Sequence, residues 1–236
     1  MDKFKSACRI KGLLFDKDGT LFDYYRTWVP VLESAALLAA KGEAESATSL
    51  MALCGFDAET GRVPAGGVLA AGNTLELAEI WAGAGGGWQV AELALVLDAH
   101  FAVEGPARSE PVTDLVVFFA GLRSLGFRTG IATNDNAASA NTTVMRFRLE
   151  PHVEFVCGYD SGHGAKPEPG MMHAFCNAMG LVPSQVAMVG DNFHDLEMAR
   201  VAGAGLKVGV LTGTSTREDL EPHADIVLDS ITDLPA

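Results

Sequence analysis

From Pro111 to the C-terminus, short apolar runs and amphipathic stretches follow one another in regular alternation. "VTDLVVFFAGLRSLG" reads as a helix ended by Gly126, "FRTGIAT" as a strand, "DNAASANTTVMRFRL" as a helix and "VEFVCG" as a strand. "EPGMMHAFCNAMG", "SQVAMVGD", "NFHDLEMARVAG" and "GLKVGVL" repeat helix, strand, helix, strand, and "ADIVL" adds a last short strand. Strands separated by helices imply a parallel sheet covered on both faces, joined by right-handed crossovers. Ligands of such sheets bind beyond the carboxyl ends of the strands.

One further strand comes much earlier. "IKGLLFD", Ile10 to Asp16, is an apolar run closed by Asp-Gly chemistry. The stretch that separates it from the alternating region is rich in alanine, leucine and glutamate. "VPVLESAALLAAKG", "AESATSLMALCG", "NTLELAEIWAG" and "WQVAELALVLDAHFAVE" read as helices, and "GFDAETGRVPAGGVLAAG" between them reads as turns with a hairpin. The expected fold is therefore α/β: a Rossmann-like parallel sheet core formed by residues 1–23 and 111–236, with an inserted, mainly α-helical domain over residues 24–110. A chain of 236 residues is long enough for a core with a smaller companion.

The carboxyl ends of the strands carry the chemistry. The first ends in Asp16 and Asp18, "GIATND" ends in Thr133 and Asn134, the loop after "FVCGYD" carries Lys166, and "VAMVGD" ends in Asp191 with Asp195 just beyond. Two carboxylates ~4 Å apart repel by about 4 kcal/mol at an effective dielectric near 20. Several acids in one cleft exceed what Lys166 alone can offset, whereas a divalent cation can. Oxygen donors with no histidine or cysteine cluster suit a hard ion such as Mg²⁺, and such an ion would recruit a phosphate. Taken singly, each motif has a plain structural explanation. Thr133 and Asn134 are ordinary helix N-cap residues, and Asp191 and Asp195 suit a helix N-terminus. Their coincidence at one sheet edge has none.

The four segments "FDKDGTL", "ATND", "AKPEP" and "GDNFHD", in that order, resemble the haloacid dehalogenase-like superfamily of phosphohydrolases, most closely the phosphoglycolate phosphatase group. The resemblance implies a nucleophile at Asp16, a general acid and base at Asp18 whose carbonyl also binds Mg²⁺, and a phosphoryl grip from Thr133 and the backbone N–H of Asn134. It further implies charge neutralisation by Lys166, a second metal carboxylate at Asp191, and an orienting role for Asp195 toward Lys166 or a metal-bound water. Residues 24–110 would be the cap that excludes water and selects the substrate, with Arg26 or Arg62 reading its far end. Haloacid dehalogenases and phosphonate hydrolases lack an aspartate at the position of Asp18, and the mutases place a histidine soon after the first motif, where "FDYYRTW" has none.

The expected function is thus a Mg²⁺-dependent phosphatase acting on a small phosphorylated metabolite, phosphoglycolate-like or a sugar phosphate, through an aspartyl-phosphate. The alternatives are a phosphomutase of the same superfamily, a receiver-like phospho-signalling module and a scaffold without activity. A receiver carries its phosphoacceptor on a third strand in a domain about half this long. A formal net charge of −13 disfavours nucleic acid and anionic membranes as partners. No long apolar segment suggests a signal or a transmembrane helix, and Cys8, Cys54, Cys157 and Cys176 form no CxxC pair. The expectation is a cytoplasmic monomer or homodimer with reduced thiols. Strand alternation, carried one residue past the strand, would turn Lys17 away from both neighbouring aspartates.

Overall fold

A computed structural model describes residues 9–234; Cys8 lies outside them. Six strands form one parallel sheet: β1 (Gly12–Phe15), β2 (Arg128–Ala132), β3 (Phe155–Cys157), β4 (Val186–Gly190), β5 (Leu206–Val210) and β6 (Ile226–Leu228), in the order β3-β2-β1-β4-β5-β6. Strand β1 pairs with β2 on one side and β4 on the other. The chain therefore switches direction across the sheet at β1, and a crevice opens there at the carboxyl ends.

Side-chain alternation along β1 divides the core in two. Leu13 and Phe15 face Phe119 and Leu122 on one side, while Leu14 faces Met172 and Phe175 on the other. The Phe15 and Phe119 rings meet edge to face at 5.4 Å. Strand β4 repeats the division, with Ala187 and Val189 on the first side and Val186 and Met188 on the second. Both faces of the sheet are covered, as the uninterrupted apolar strands require.

Between β1 and β2 the chain forms a separate helical layer: α1 (Tyr24–Ala39), α2 (Ala44–Leu53), α3 (Val68–Ala71), α4 (Thr74–Gly83) and α5 (Val90–Arg108). It encloses its own apolar cluster, which includes Trp28, Leu32, Trp81, Leu93 and Leu97. Asn73 caps α4 reciprocally with Glu76, the capping box written in "NTLE". The layer enters and leaves the core through adjacent backbone. Asp23 N–H donates to Glu110 O at 2.9 Å, and Val112 N–H donates to Leu21 O at 3.0 Å.

Two local readings differ from the outcome. The Gly/Pro-rich segment makes a single antiparallel bridge, Asp57 to Arg62, and the short α3 rather than a hairpin. Helix α5 continues past Glu104 through Gly105 and Pro106. The missing Cβ of Gly105 lets the helix lie against Trp28 and Ser139, and this packing outweighs the poor helix propensity of the pair. No helix among the described residues is long and apolar enough to cross a membrane. Cys54, Cys157 and Cys176 are buried free thiols.

Candidate active site

Residues from four strand ends meet in the crevice. Asp16 follows β1 directly, and its N–H still donates to Val189 O of β4 at 2.8 Å, so the sheet itself positions this carboxylate. Lys166 arrives from the loop after β3. Its ammonium donates to Asp16 Oδ1 at 2.5 Å, to Asp195 Oδ1 at 2.6 Å and to Ala132 O at 3.1 Å. An ammonium has three hydrogens, and all three are directed by this geometry.

Asp195 lies in the first turn of α9 (Phe193–Ala202), the helix after β4; α6 (Leu115–Ser124), α7 (Ala137–Arg146) and α8 (Gly170–Met179) precede it. While one Asp195 oxygen holds Lys166, Oδ2 accepts from Asn192 N–H at 3.1 Å and closes a capping box. Asp191 accepts at Oδ2 from Thr214 N–H at 3.0 Å. Oxygens of Asp16, Asp191 and Asp195 lie within 4.8 Å of one another, a hard-donor cluster able to hold a metal ion.

Two glycines make this crowding possible. Gly19 has φ 88°, and a Cβ there would stand 2.6 Å from the Asp191 carboxylate carbon; a Cβ on Gly190 would stand 2.3 Å from that of Asp195. Gly19→Ala should therefore cost at least about 1–2 kcal/mol from the left-handed backbone alone, and more from displacing Asp191. Urea unfolding of the variant checks this, and an unchanged midpoint would contradict it.

The remaining sequence-derived residues fall as follows. Thr133 follows β2, donates its N–H to Cys157 O at 2.9 Å and accepts from Asp135 N–H at its hydroxyl oxygen at 3.1 Å. Thr133 lines the cleft. The Asn134 side chain does something the motif did not disclose. It accepts from Lys166 N–H at 2.8 Å and donates to Lys166 O at 3.1 Å, fixing the lysine's backbone from both sides. It also donates to Ala71 O of the helical layer at 2.8 Å. Arg26 and Arg62 are not brought to the site. Arg26 is an exposed partner of Glu110 at 3.2 Å, and Arg62 stacks over Tyr25 at 5.4 Å. The expectation of an arginine reading the substrate is corrected accordingly.

Lys17 is the second correction. The strand ends at Phe15, and residues 16–19 turn, so alternation does not extend to Lys17. Its fully buried ammonium pairs with Asp18 Oδ2 at 2.6 Å and Asp135 Oδ2 at 2.9 Å, beneath the Trp28 ring at 5.3 Å. Asp18 is thereby held through one oxygen, while its buried Oδ1 has no hydrogen-bond partner. Asp135 was missed because, as the last residue of "ATND", it reads as a helix-start acid. A buried lysine shared by two acids leaves no sequence signature.

The electrostatics follow from burial. Burial pushes the Asp16 carboxyl up to about 7, a rise that Lys166 opposes and Asp195 and Asp18 reinforce. Burial, then Asp16 and Asp195, holds Asp191 well above the carboxylate range. For Lys166, burial disfavours the charge, but Asp16 and Asp195 outweigh it and keep the ammonium protonated. The site gathers five acids around two lysines, and without a further cation burial favours the protonated form of Asp16 and Asp191.

The helical layer closes the cleft from above with Tyr24, Trp28, Leu32, Leu69, Leu77 and Phe101. It is tied to the core through Asp98, which accepts from Asn136 Nδ2 at 3.1 Å and from the Tyr159 hydroxyl at 2.9 Å.

Comparison with known proteins agrees with this architecture. The family model for haloacid dehalogenase-like hydrolases matches residues 10–203. The N-acetylmuramic acid 6-phosphate phosphatase of Pseudomonas aeruginosa is 26% identical over 223 residues, 94% of this chain and 91% of that enzyme. The phosphoglycolate phosphatase of Rhodospirillum rubrum is 29% identical over 110 residues, 47% of this chain and 46% of that enzyme. For several curated relatives the match spans about half of their length. A solved haloacid dehalogenase-like hydrolase from Bacteroides fragilis superposes with a TM-score of 0.75 at 18% identity, covering 96% of this chain and all of that one, a likeness of fold. With a matching family model that runs from β1 to the end of α9 and a sheet that gathers the same acids and lysine at one edge, the chain belongs to the haloacid dehalogenase-like hydrolase family.

Proposed function

We propose that the protein is a Mg²⁺-dependent phosphatase that hydrolyses a small phosphorylated metabolite through a phosphoaspartate on Asp16. The observation that carries this reading is the pairing of Asp16 with Lys166 beside an Asp18 whose Oδ1 is free. Lys166 holds Asp16 by one oxygen and leaves the other to attack phosphorus. As the Asp16–phosphorus bond forms, the ester P–O bond breaks, and Asp18 delivers a proton from Oδ1 to the leaving oxygen. Water then attacks the phosphoaspartate, Asp18 takes its proton back, and inorganic phosphate departs with both aspartates restored. Thr133 and the Asn134 N–H grip the phosphoryl oxygens, and Lys166 offsets the charge that builds on them.

The carboxylates of Asp16 and Asp191 and the carbonyl of Asp18 are the groups that would hold Mg²⁺. The cluster of hard oxygen donors, whose ionised forms burial disfavours until a further cation is present, fits such an ion. When bound it supplies the positive charge that lets a phosphate approach an acidic cleft. Residues 24–110 serve as the cap, shutting out bulk water during the reaction.

The test is release of inorganic phosphate from a panel of esters, with Mg²⁺ and with a chelator; no hydrolysis of any ester overturns the reading. Stability supplies an independent check. A carboxyl whose folded pKa lies above its unfolded value of about 3.9 stabilises the fold below that value. The contribution is lost as pH rises through the folded value, which for Asp16 is about 7. Metal-free protein should therefore lose heat stability between about pH 5 and pH 8 through this site, and Mg²⁺, which binds the ionised carboxylates, should restore it. The rise in Tm on adding Mg²⁺ is expected to be larger at pH 8 than at pH 5. Equal rises would mean that the ion does not act on these groups.

A further inference from the structure

The cap-side wall of the cleft differs sharply in chemistry from its floor. Asp16, Asp18, Asp135, Asp191 and Asp195 line the floor, and Lys166 is the one lysine or arginine among the described lining residues. The wall supplied by the helical layer is aromatic and aliphatic: Tyr24, Trp28 and Phe101 with Leu32, Leu69 and Leu77. The Tyr24 hydroxyl is already spent, donating to Leu69 O at 2.7 Å.

Every basic residue of the layer is engaged elsewhere. Arg26 pairs with Glu110 and Arg108 with Glu104, Lys41 donates to Gly86 O beside the Trp88 ring, and Arg62 lies on Tyr25. Its histidine, His100, bonds to Ser34. Apart from His194, which lines the cleft from the core and is bonded to Asn192 Oδ1 at 3.2 Å, a second anionic group on a substrate would find no basic side chain facing it from this wall, and five acids below it. The polar capacity left on this wall is modest: Asn73, Thr74 and the buried Trp28 indole N–H, which lacks an acceptor.

We infer that the leaving group of the physiological ester is uncharged and predominantly apolar, with at most a neutral acceptor for Trp28. The inference rests on the phosphatase reading and narrows it. A carboxylate such as that of phosphoglycolate is a poor match to this wall. The aromatic and aliphatic surface gains from each methylene it covers, and a charge forced against it loses solvation without gaining a partner.

The experiment compares kcat/KM of the full chain with Mg²⁺ across methyl, ethyl, propyl and butyl phosphate, phenyl phosphate, phosphoglycolate and a bisphosphate. Each methylene up to butyl is expected to raise kcat/KM about fourfold. Ethyl phosphate should exceed phosphoglycolate, its partner of matched length, by about tenfold or more. Phosphoglycolate or the bisphosphate turned over as well as the matched neutral ester would overturn the inference while leaving the phosphatase reading intact. No hydrolysis of any ester would remove both. A second arm places a cation on the wall at the half-buried Val68, which lines the cleft. Val68→Arg should shift the phosphoglycolate-to-ethyl phosphate ratio upward by about tenfold; a ratio that does not move would count against the wall as the selector.

Discussion

Asp16→Asn should lower kcat by at least about 10⁴-fold, as expected when an attacking group is removed from a catalytic unit, yet leave the fold intact. The amide is nearly isosteric with the carboxylate but cannot form the acyl phosphate bond. Lys166 keeps Asp195 and Ala132 O as partners after the change. The stability side of the prediction has a definite sign. The native environment disfavours the Asp16 charge, since burial raises its carboxyl to about 7. At pH 8 without metal, the neutral variant should therefore melt no lower than the parent. Phosphate release and a melting curve on the same preparation check both halves. Turnover within tenfold of the parent would mean that the nucleophile lies elsewhere, and a collapsed melting curve would mean that Asp16 chiefly supports the fold.

Lys17→Met should produce the other large effect, here on stability. The change removes the cation held between Asp18 and Asp135, in a place where Lys17 is fully buried. Breaking a buried pair from one side costs about 3–5 kcal/mol, because the stranded charge cannot reach water. In a domain of this size that corresponds to a fall in Tm of about 10 °C. Asp135→Asn added to Lys17→Met should recover part of the loss, since it removes one of the two stranded charges, and the double-mutant cycle measures the coupling. On the proposed function activity should fall as well, because Asp18 loses the contact that holds its Oδ2. A variant as stable as the parent would show that Asp18 and Asp135 reach solvent or one another's protons without Lys17.

The sheet was legible because its signals are local and repeated. Each strand is an apolar run, α6, α8 and α9 are closed by Gly126, Gly180 and Gly203, and parallel order follows from the alternation. Asp16, Thr133, Lys166 and Asp191 were legible because strand ends point to one edge whatever lies between them. What escaped depended on where a strand stops and which way a helix faces. Lys17 was misread by extending the alternation of β1 past Phe15. Arg26 and Arg62 were singled out by charge type, which does not reveal direction. Tyr24 and Trp28, four residues apart on α1, take the face toward the cleft, and Arg26 between them is turned to Glu110 and solvent. The second duty of Asn134, clamping Lys166, needed a contact across 32 positions that no local pattern encodes.

The adjacent entry and exit of the helical layer, where Phe22 and Pro111 bridge and Asp23 binds Glu110, make a single covalent doorway between the layer and the sheet. Lengthening, shortening or exchanging what lies beyond the doorway leaves the register of β1 against β2 and β4 unchanged. On the proposed function, in which the layer faces the leaving group, the choice of substrate lies in one part of the gene and the acids at the strand ends lie in another.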